Sequence, residues 1–128
     1  MYTESYLETD LVNSYAWDTA LVFIQEFSGD KKYSRQETGQ ATHTKTGNAI
    51  LLDKTIDKKC NVFDMAGNCR EWSTEWYNAD YPATYRGGYC KSISAHDLSY
   101  TPAYRDNGSK ILRSAVYSFR PLLYLLEI

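Results

Sequence analysis

The stretch that decides the fold is Asn61-Val-Phe-Asp-Met-Ala-Gly-Asn-Cys-Arg-Glu-Trp72, near the middle of the 128-residue chain. Its first part, residues 61–68, is rich in Asn, Asp and Gly, the residues that tight turns prefer. Directly after it, residues 70–77 read Arg-Glu-Trp-Ser-Thr-Glu-Trp-Tyr, and their alternation of large and polar side chains predicts a strand. The stretch is therefore predicted to be a turn that leads into a strand.

Upstream of this stretch, the sequence predicts one helix over about residues 15–28. Ser14 is a candidate N-cap and Gly29 follows just past the predicted end. Residues 1–14 are predicted to form an extended arm or a short strand. The helix prediction depends on apolar residues that recur at helical spacing and would face a core: Trp17, Ala20, Leu21, Ile24 and Phe27.

Downstream of the stretch, three further strands are predicted, at Tyr85–Tyr89, Ala103–Arg105 and Val116–Leu126, and the two glycines of the first indicate an interruption where backbones approach closely. Pro121 lies inside the last of these and indicates an edge or a bulge, because proline cannot donate to a strand ladder. Residues 29–48 are rich in Ser, Thr, Gly and Lys, and we expect a long loop there.

Composition limits the class of protein. The chain is 43% hydrophobic and 23% charged, which is typical of one globular domain over residues 1–128. Fourteen basic and sixteen acidic residues leave a net charge of −2, so we expect no nucleic-acid partner. We also expect no membrane partner, because no apolar run approaches the ~20 residues that a spanning helix needs.

Cysteine usage and the N-terminus bear on the compartment. Cys60, Cys69 and Cys90 are odd in number and lack a C-x-x-C spacing, which favours free thiols, with a Cys60–Cys69 bridge as the alternative. The first ten residues have no basic start and no apolar segment, so no signal peptide is expected. The location stays open between the cytoplasm and a phage particle or surface assembly.

Four short motifs, in order along the chain, resemble those of the formylglycine-generating enzyme (sulfatase-modifying factor) family. Residues 61–72 are similar to the family signature G-L-Y-D-M-x-G-N-V-W-E-W. Tyr15–Ala20 resembles its V-S-W-x-D-A helix start, Arg86–Tyr89 its R-G-G-S motif, and Ser118–Arg120 stands where the family has G-F-R. The resemblance covers about residues 15–126. It implies an α+β, C-type-lectin-like fold: a mostly antiparallel twisted sheet with one main helix and long loops.

The chain also departs from the family's enzymes. Their R-L-P-T-E-A-E-W-E stretch is missing, and Lys31–Asn48 stands in its place. The positions of the family's two copper-binding cysteines hold Ser92 and Asp97, and Cys90 lies in a different register. Copper(I) needs soft thiolate ligands, so we expect no copper, no catalytic residue and no enzymatic activity.

The resemblance implies one structural calcium ion, which would be held by Asp64, Gly67, Cys69 and Glu71. Two carboxylates and two backbone carbonyls would supply hard oxygen ligands, and water would complete the shell. The alternative is a structural turn in which Asp64 caps backbone N–H groups and Glu71 pairs with an arginine. Both interpretations are compatible with the sequence.

Four other residues are predicted to be structural. Arg86 and Arg120 belong to the family-like motifs, and we expect them to bond carbonyls and carboxylates within a loop-rich core. Trp72 and Trp76 are four residues apart on one predicted strand, and we expect both to be in the core.

The resemblance extends to the variable proteins of diversity-generating retroelements, bacterial and phage proteins with the same fold. Their mutagenised binding segment lies where Tyr89–Tyr117 lies in this chain. We therefore predict a non-catalytic module that binds a protein or surface ligand through an aromatic and polar platform. Its predicted residues are Tyr89, Lys91, Ile93, His96, Asp97, Leu98, Tyr100, Tyr104, Asp106, Asn107, Ser109, Lys110 and Leu112.

Two alternatives to the binding module remain. The chain could be a structural or assembly subunit, or a residual oxidase of the formylglycine-generating type. Oligomeric state and ligand identity are not encoded in any motif. The chain has 12 tyrosines, which fit either a recognition surface, because tyrosine combines a large contact area with a polar tip, or the core of a small β domain.

Overall fold

The computed structural model describes residues 7–35, 58–88, 101–108 and 117–125. Within these ranges the chain is α+β, as predicted, with one α-helix and short strands in mixed and antiparallel sheets. No helix in the described ranges is long and apolar enough to cross a bilayer. In chain order the elements are β1 (Leu7–Leu11), α1 (Ser14–Phe27), a 3₁₀ turn (Tyr33–Arg35), β2 (Lys58–Lys59), β3 (Val62–Phe63), β4 (Arg70–Trp76), β5 (Ala83–Arg86), β6 (Arg105–Gly108), β7 (Tyr117–Phe119) and β8 (Pro121–Leu125).

The largest sheet has four strands in the order β6-β5-β4-β7. Strand β5 runs antiparallel to both β4 and β6, whereas β7 runs parallel to β4. A second, antiparallel pair joins β1 to β8, and β2 and β3 form a small antiparallel pair of their own. Strand β4, the predicted strand of the central stretch, therefore lies inside the sheet with a neighbour on each side.

The N-terminus of α1 is set by Asn13 and not by Ser14. The Asn13 side chain accepts a hydrogen bond of 2.8 Å from the backbone N–H of Ala16, which is the usual N-cap interaction. The prediction of Ser14 as the cap is therefore wrong. Ser14 is the first helical residue, and its hydroxyl donates to Glu75 on β4.

One face of α1 enters the core, but it is narrower than the sequence predicts. Trp17, Leu21 and Ile24 are buried as expected, whereas Phe27 is exposed and its prediction as a core residue is wrong. Phe27 is the last helical residue, and Gly29 soon follows with φ +77°. This left-handed glycine turns the chain away after the helix.

The core contains a residue that the sequence did not point to. Tyr33, in the segment predicted as a long loop, is fully buried on the 3₁₀ turn. The rest of that predicted loop, residues 36–48, lies outside the described residues. Together with Tyr33 the core cluster contains Val12, Trp17, Leu21, Ile24, Met65 and Ala66.

The predicted strand at Tyr85–Tyr89 lies two residues too late, since β5 spans Ala83–Arg86. The strand stops because Gly87 adopts φ +76°. A Cβ at Gly87 would also lie 3.1 Å from both the Met65 carbonyl oxygen and the Trp17 ring. Glycine is therefore required both for the turn and for the close approach of the core.

The predicted final strand is two strands in different sheets. Strand β7 ends at Phe119 and β8 starts at Pro121, and Arg120 between them belongs to neither strand. Pro121 is the first residue of β8, a position where the missing N–H costs little. The predicted strand at Ala103–Arg105 likewise lies early, since β6 begins at Arg105.

Trp76 is exposed, whereas Trp72, four residues earlier on the same strand, is half-buried. The pairing of β4 with β5 is irregular between Ser73 and Trp76, and the Trp76 side chain is exposed at the end of the strand. The prediction of Trp76 as a core residue is wrong because the regular ladder that would continue the covered face stops before it.

Candidate functional site

The motif segments meet around the buried Trp17 indole. Trp17 Nε1 donates a hydrogen bond of 2.8 Å to the carbonyl oxygen of Pro102. The guanidinium groups of Arg86 and Arg120 lie 5.9 and 5.8 Å from the Trp17 ring, within the range of a cation–π contact. The helix start, the Arg-Gly-Gly segment and the Ser-Phe-Arg segment are therefore joined at one residue.

Arg120 ties the last of these segments to the central stretch. Its Nε donates to Glu71 Oε2 at 2.8 Å, and its Nη2 donates to Glu71 Oε1 at 2.9 Å. The same Nη2 donates to the carbonyl oxygen of Phe63 at 2.7 Å. The prediction that Arg120 bonds a carbonyl and a carboxylate is confirmed.

Arg86 makes the corresponding connection to the helix. It donates to the Asp18 carboxylate and, at 3.3 Å, to the Ser14 hydroxyl. Glu75 lies 3.9 Å away and accepts a hydrogen bond of 2.6 Å from Arg105 Nε. Burial alone would raise the pKa of Glu75, but the hydrogen bonds from Arg105 and Ser14 outweigh it and the pKa is lowered.

The four residues of the predicted calcium site lie on the turn before β4 and at its start. Asp64 is buried with φ +58°, and its Oδ2 accepts a hydrogen bond of 2.9 Å from Asn68. Both oxygens of Glu71 are held by Arg120, although burial still raises the pKa of Glu71. A calcium ion would have to share this carboxylate with a guanidinium, so the donor set fits the ion poorly. Calcium binding stays a prediction.

The face of the four-stranded sheet opposite to Glu71 and Arg86 carries four aromatic rings that form one connected cluster. We call these residues, Trp72, Tyr85, Tyr104 and Tyr117, the aromatic face. The Trp72 and Tyr117 rings are stacked with centroids 4.9 Å apart, and Tyr85 meets both rings edge-on at 5.9 and 5.4 Å. Tyr104 lies 6.3 Å from Tyr85. Tyr85 is buried, whereas the other three rings are half-buried.

Two charged residues are built into the aromatic face. The Arg70 guanidinium lies 4.7 Å from the Tyr85 ring and 5.9 Å from the Tyr104 ring. Asp106 Oδ2 accepts hydrogen bonds from both hydroxyls, at 3.0 Å from Tyr85 and 2.7 Å from Tyr104. A cation and an anion are thus held in fixed positions among the rings.

The protonation states of this cluster follow from its contacts. Burial, together with hydrogen bonding to Asp106, raises the pKa of Tyr104 to about 12 and raises that of Tyr85 as well. Burial alone would raise the pKa of Asp106, but hydrogen bonds from Tyr104, from the Asn107 backbone and from Tyr85 outweigh it and lower the pKa. At neutral pH the two phenols are therefore neutral donors and Asp106 is an anion.

Gly108 makes room for the Trp72 ring. A Cβ at Gly108 would come within 2.5 Å of the Trp72 ring, which leaves no room for any other residue. Trp72, predicted as a core residue, is only half-buried and lies outside the core cluster. Its neighbours, however, are the tyrosines of the aromatic face and not the core around Trp17.

Of the predicted platform, the structure brings Tyr104 and Asp106 together in this cluster. Asn107 pairs with Thr84 and so lies on the other face of the sheet, but its backbone N–H and its side-chain amide donate to Asp106 at 2.8 and 3.0 Å. The remaining predicted platform residues lie outside the described residues: Tyr89, Lys91, Ile93, His96, Asp97, Leu98, Tyr100, Ser109, Lys110 and Leu112.

Sequence reasoning did not assign Arg70, Tyr85 or Tyr117 to this site. The signal was present in β4, where Arg70 and Trp72 alternate with Glu71 and so must lie on the face opposite to it. Among the cysteines, Cys60 and Cys69 are not joined by a disulfide, which settles that alternative. Cys90 lies outside the described residues.

Comparisons with protein-family models, with curated proteins and with solved structures gave no match to this chain. A function must therefore be argued from the site itself. The residues available for that argument are the aromatic face with Arg70 and Asp106.

Proposed function

We propose that this chain is a non-catalytic ligand-binding module on a C-type-lectin-like scaffold, and that the aromatic face is part of its ligand surface. The observation that carries the proposal is the cluster in which Tyr104 and Asp106, both predicted as platform residues, contact Tyr85 and Arg70. The proposed ligand is a protein or a surface ligand, and the chain is proposed to be a receptor- or adhesin-type protein of a bacterium or phage.

The chemistry of the cluster suits recognition. Half-buried tyrosine and tryptophan rings offer a large contact area and lose little side-chain entropy when a ligand binds. Arg70 and Asp106 are already fixed by the rings and hydroxyls around them, so little further ordering is needed on binding. Fixed charges of opposite sign favour a ligand with complementary polar groups.

The scaffold part of the proposal is supported by the convergence of the motif segments. Arg86 and Arg120 both flank Trp17, and both are engaged by carboxylates of the chain itself. Motif residues that hold the fold together can persist in a chain without the family's chemistry, because they are needed for folding. These contacts support a shared scaffold and account for the motif residues without any catalytic role.

The proposed likeness to retroelement variable proteins is supported by the two strands, β5 and β7, that flank the predicted variable segment. Residues 89–116 are bounded by β5 and β7, and both of these strands pair with β4. Within this segment β6 is an edge strand that, among the described strands, pairs only with β5, and outside β6 changes in a segment anchored at both ends need not disturb the sheet. We propose that this segment varies between copies of the gene and that its variation changes the ligand.

Sequencing of closely related gene copies, from one genome or one phage population, tests the variable segment. We expect amino-acid differences to concentrate in residues 89–117 and to be rare in residues 15–75. An even spread of differences over both ranges would contradict the proposal.

Binding is tested on a printed glycan array and a displayed random-peptide library, with Tyr104→Ala as the test variant. Tyr81→Ala is the matched control, because Tyr81 is exposed on the turn between β4 and β5, away from the aromatic face. We expect hits that Tyr104→Ala loses and Tyr81→Ala keeps. Copper-dependent oxidation of a cysteine-containing peptide, abolished by Cys90→Ser, would instead favour the oxidase.

A further inference from the structure

The Asp106 carboxylate beside the aromatic face has all its acceptor sites filled by the chain itself. Its Oδ2 accepts from the Tyr85 and Tyr104 hydroxyls at 3.0 and 2.7 Å. Its Oδ1 accepts from the Asn107 backbone N–H at 2.8 Å and from the Asn107 side-chain amide at 3.0 Å. An ionised carboxylate has about four acceptor sites, two on each oxygen. Asp106 therefore has no site left at which it could accept from a ligand.

The two hydrogen bonds to Oδ2 fix the direction of both tyrosine hydroxyls. At neutral pH Asp106 is an anion, since its pKa is lowered, and an ionised carboxylate only accepts. Each phenol has a single proton, and in Tyr85 and Tyr104 that proton is donated to the carboxylate. Neither hydroxyl has a proton left for a ligand. What each phenol still offers is an oxygen that accepts.

Tyr104 is the tyrosine of this pair that a ligand can reach. Tyr85 is only 4% exposed, whereas Tyr104 is half-buried. Asp106, which binds the Tyr104 hydroxyl, is half-buried as well, so this end of the ring is not enclosed. The negative charge of Asp106 also attracts the positive end of a donor that approaches the Tyr104 oxygen. This part of the aromatic face is therefore an acceptor.

We propose that the ligand of the aromatic face carries a hydrogen-bond donor, a hydroxyl or an N–H, that binds the Tyr104 oxygen, and that Asp106 is the positioning residue that makes Tyr104 an acceptor. A ligand group that only accepts, such as an ether oxygen, meets the Tyr104 oxygen with no proton between them and is disfavoured there. This inference rests on the proposed function, because it requires the aromatic face to be a ligand surface.

Two isomeric probes, p-cresol and anisole, separate a donor from an acceptor. Both have one aromatic ring and the same atoms, but only p-cresol has an O–H to donate. NMR titration of the isotope-labelled full chain gives the dissociation constant of each probe from the shifts of the backbone signals at Tyr104 and Asp106. We expect p-cresol to bind about two to ten times more tightly than anisole, the ratio that one net hydrogen bond gives.

Tyr104→Phe tests the accepting oxygen. This variant keeps the ring and removes the oxygen, so p-cresol and anisole should bind it equally. Tyr81→Phe is the matched control, because it removes a hydroxyl from an exposed tyrosine on the turn between β4 and β5. It should keep the preference for p-cresol.

Asp106→Asn tests the positioning role. The Asn107 backbone N–H cannot be reversed, so the oxygen of the new amide must stay beside it and the amide Nδ2 must face the tyrosines. The Tyr104 oxygen then accepts from this amide, its proton turns toward the ligand, and the preference for p-cresol should be lost. Asp80→Asn makes the same change at an exposed aspartate and should keep the preference.

The outcomes separate this inference from the proposed function. Equal affinities for p-cresol and anisole in the natural chain, with shifts at the aromatic face, would overturn the donor requirement and leave the ligand surface standing. A preference that survives in Asp106→Asn would overturn the positioning role. No shift with either probe would contradict the ligand surface itself, and the inference with it. The same spectra show whether each variant is folded, and Asp106→Ala, which frees the same hydroxyl, replaces Asp106→Asn should that variant fail to fold.

Discussion

Arg120 and Glu71 form a bidentate ion pair, in which Arg120 Nε and Nη2 lie 2.8 and 2.9 Å from the two carboxylate oxygens of Glu71. The pair joins the residue between β7 and β8 to the start of β4, so it connects two segments 49 residues apart. Arg120 also donates a hydrogen bond to the Phe63 carbonyl oxygen, and its guanidinium faces the Trp17 ring. Removal of this ion pair should therefore lower the free energy of unfolding of the whole domain.

Arg120→Ala is expected to lower the free energy of unfolding by about 3 kcal/mol, because it leaves the buried Glu71 without its partner. Urea denaturation followed by circular dichroism measures the change. Replacing both partners, in Glu71→Met with Arg120→Met, should cost less than Arg120→Ala because no unpaired charge stays buried. Arg35→Ala, at an exposed arginine, is the control and should cost under about 0.5 kcal/mol.

Gly87→Ala and Gly29→Ala separate backbone strain from crowding. Their φ angles are nearly equal, at +76° and +77°, but a Cβ meets Trp17 and Met65 at 3.1 Å in the first case and nothing within 4 Å in the second. Gly29→Ala should cost about 1 kcal/mol for the left-handed conformation. Gly87→Ala should cost a further ~1–3 kcal/mol for overpacking. Equal shifts in the melting temperature would contradict the crowding argument.

Alkaline pH should weaken the fold through the aromatic face. The pKa of Tyr104 is raised from 10.0 to about 12, so its stabilising effect is complete below pH 10 and is lost as the pH rises from 10 to 12. Tyrosinate absorbance should show late-titrating phenols, with one fewer in Tyr104→Phe because the pKa of Tyr85 is raised as well. Asp106→Ala removes the hydrogen-bond acceptor and should make the Tyr104 phenol titrate earlier, whereas Asp80→Ala, at an exposed aspartate, should not.

Calcium binding at Asp64 and Glu71 is tested against the competing guanidinium of Arg120. If the four predicted residues form a site, Arg120→Ala frees the Glu71 carboxylate, and millimolar calcium should raise the melting temperature of this variant more than that of the natural chain. Adding Asp64→Asn to Arg120→Ala should abolish the increase. No calcium effect in either chain would exclude the site.

Much of the scaffold could be predicted from local patterns. The helix and strand β4 follow from the periodicity of residues close together in the sequence, whereas the structural role of Arg120 was implied by the resemblance of its motif to a known family. Element ends were less predictable: β5 stops at Gly87 because its φ is positive, and α1 starts after Asn13 because the Asn13 side chain, not that of the neighbouring Ser14, accepts from the Ala16 N–H.

Only part of the candidate site could be predicted from the sequence. Tyr104 and Asp106 were predicted as platform residues, but their contacts with Tyr85 and Arg70 arise because β5 lies between β4 and β6. That strand order is set by tertiary packing, and no local pattern encodes which strands become neighbours.

The sequence by itself determined which residues alternate along β4, which face of α1 enters a core, and that the chain lacks the charge of a nucleic-acid binder. The tertiary structure alone decided that Tyr33 is buried, that Trp76 and Phe27 are exposed, and that four distant rings form one face. The physical reason is range. Periodicity reflects neighbours along one strand or helix, whereas burial depends on which distant segments come to lie against them.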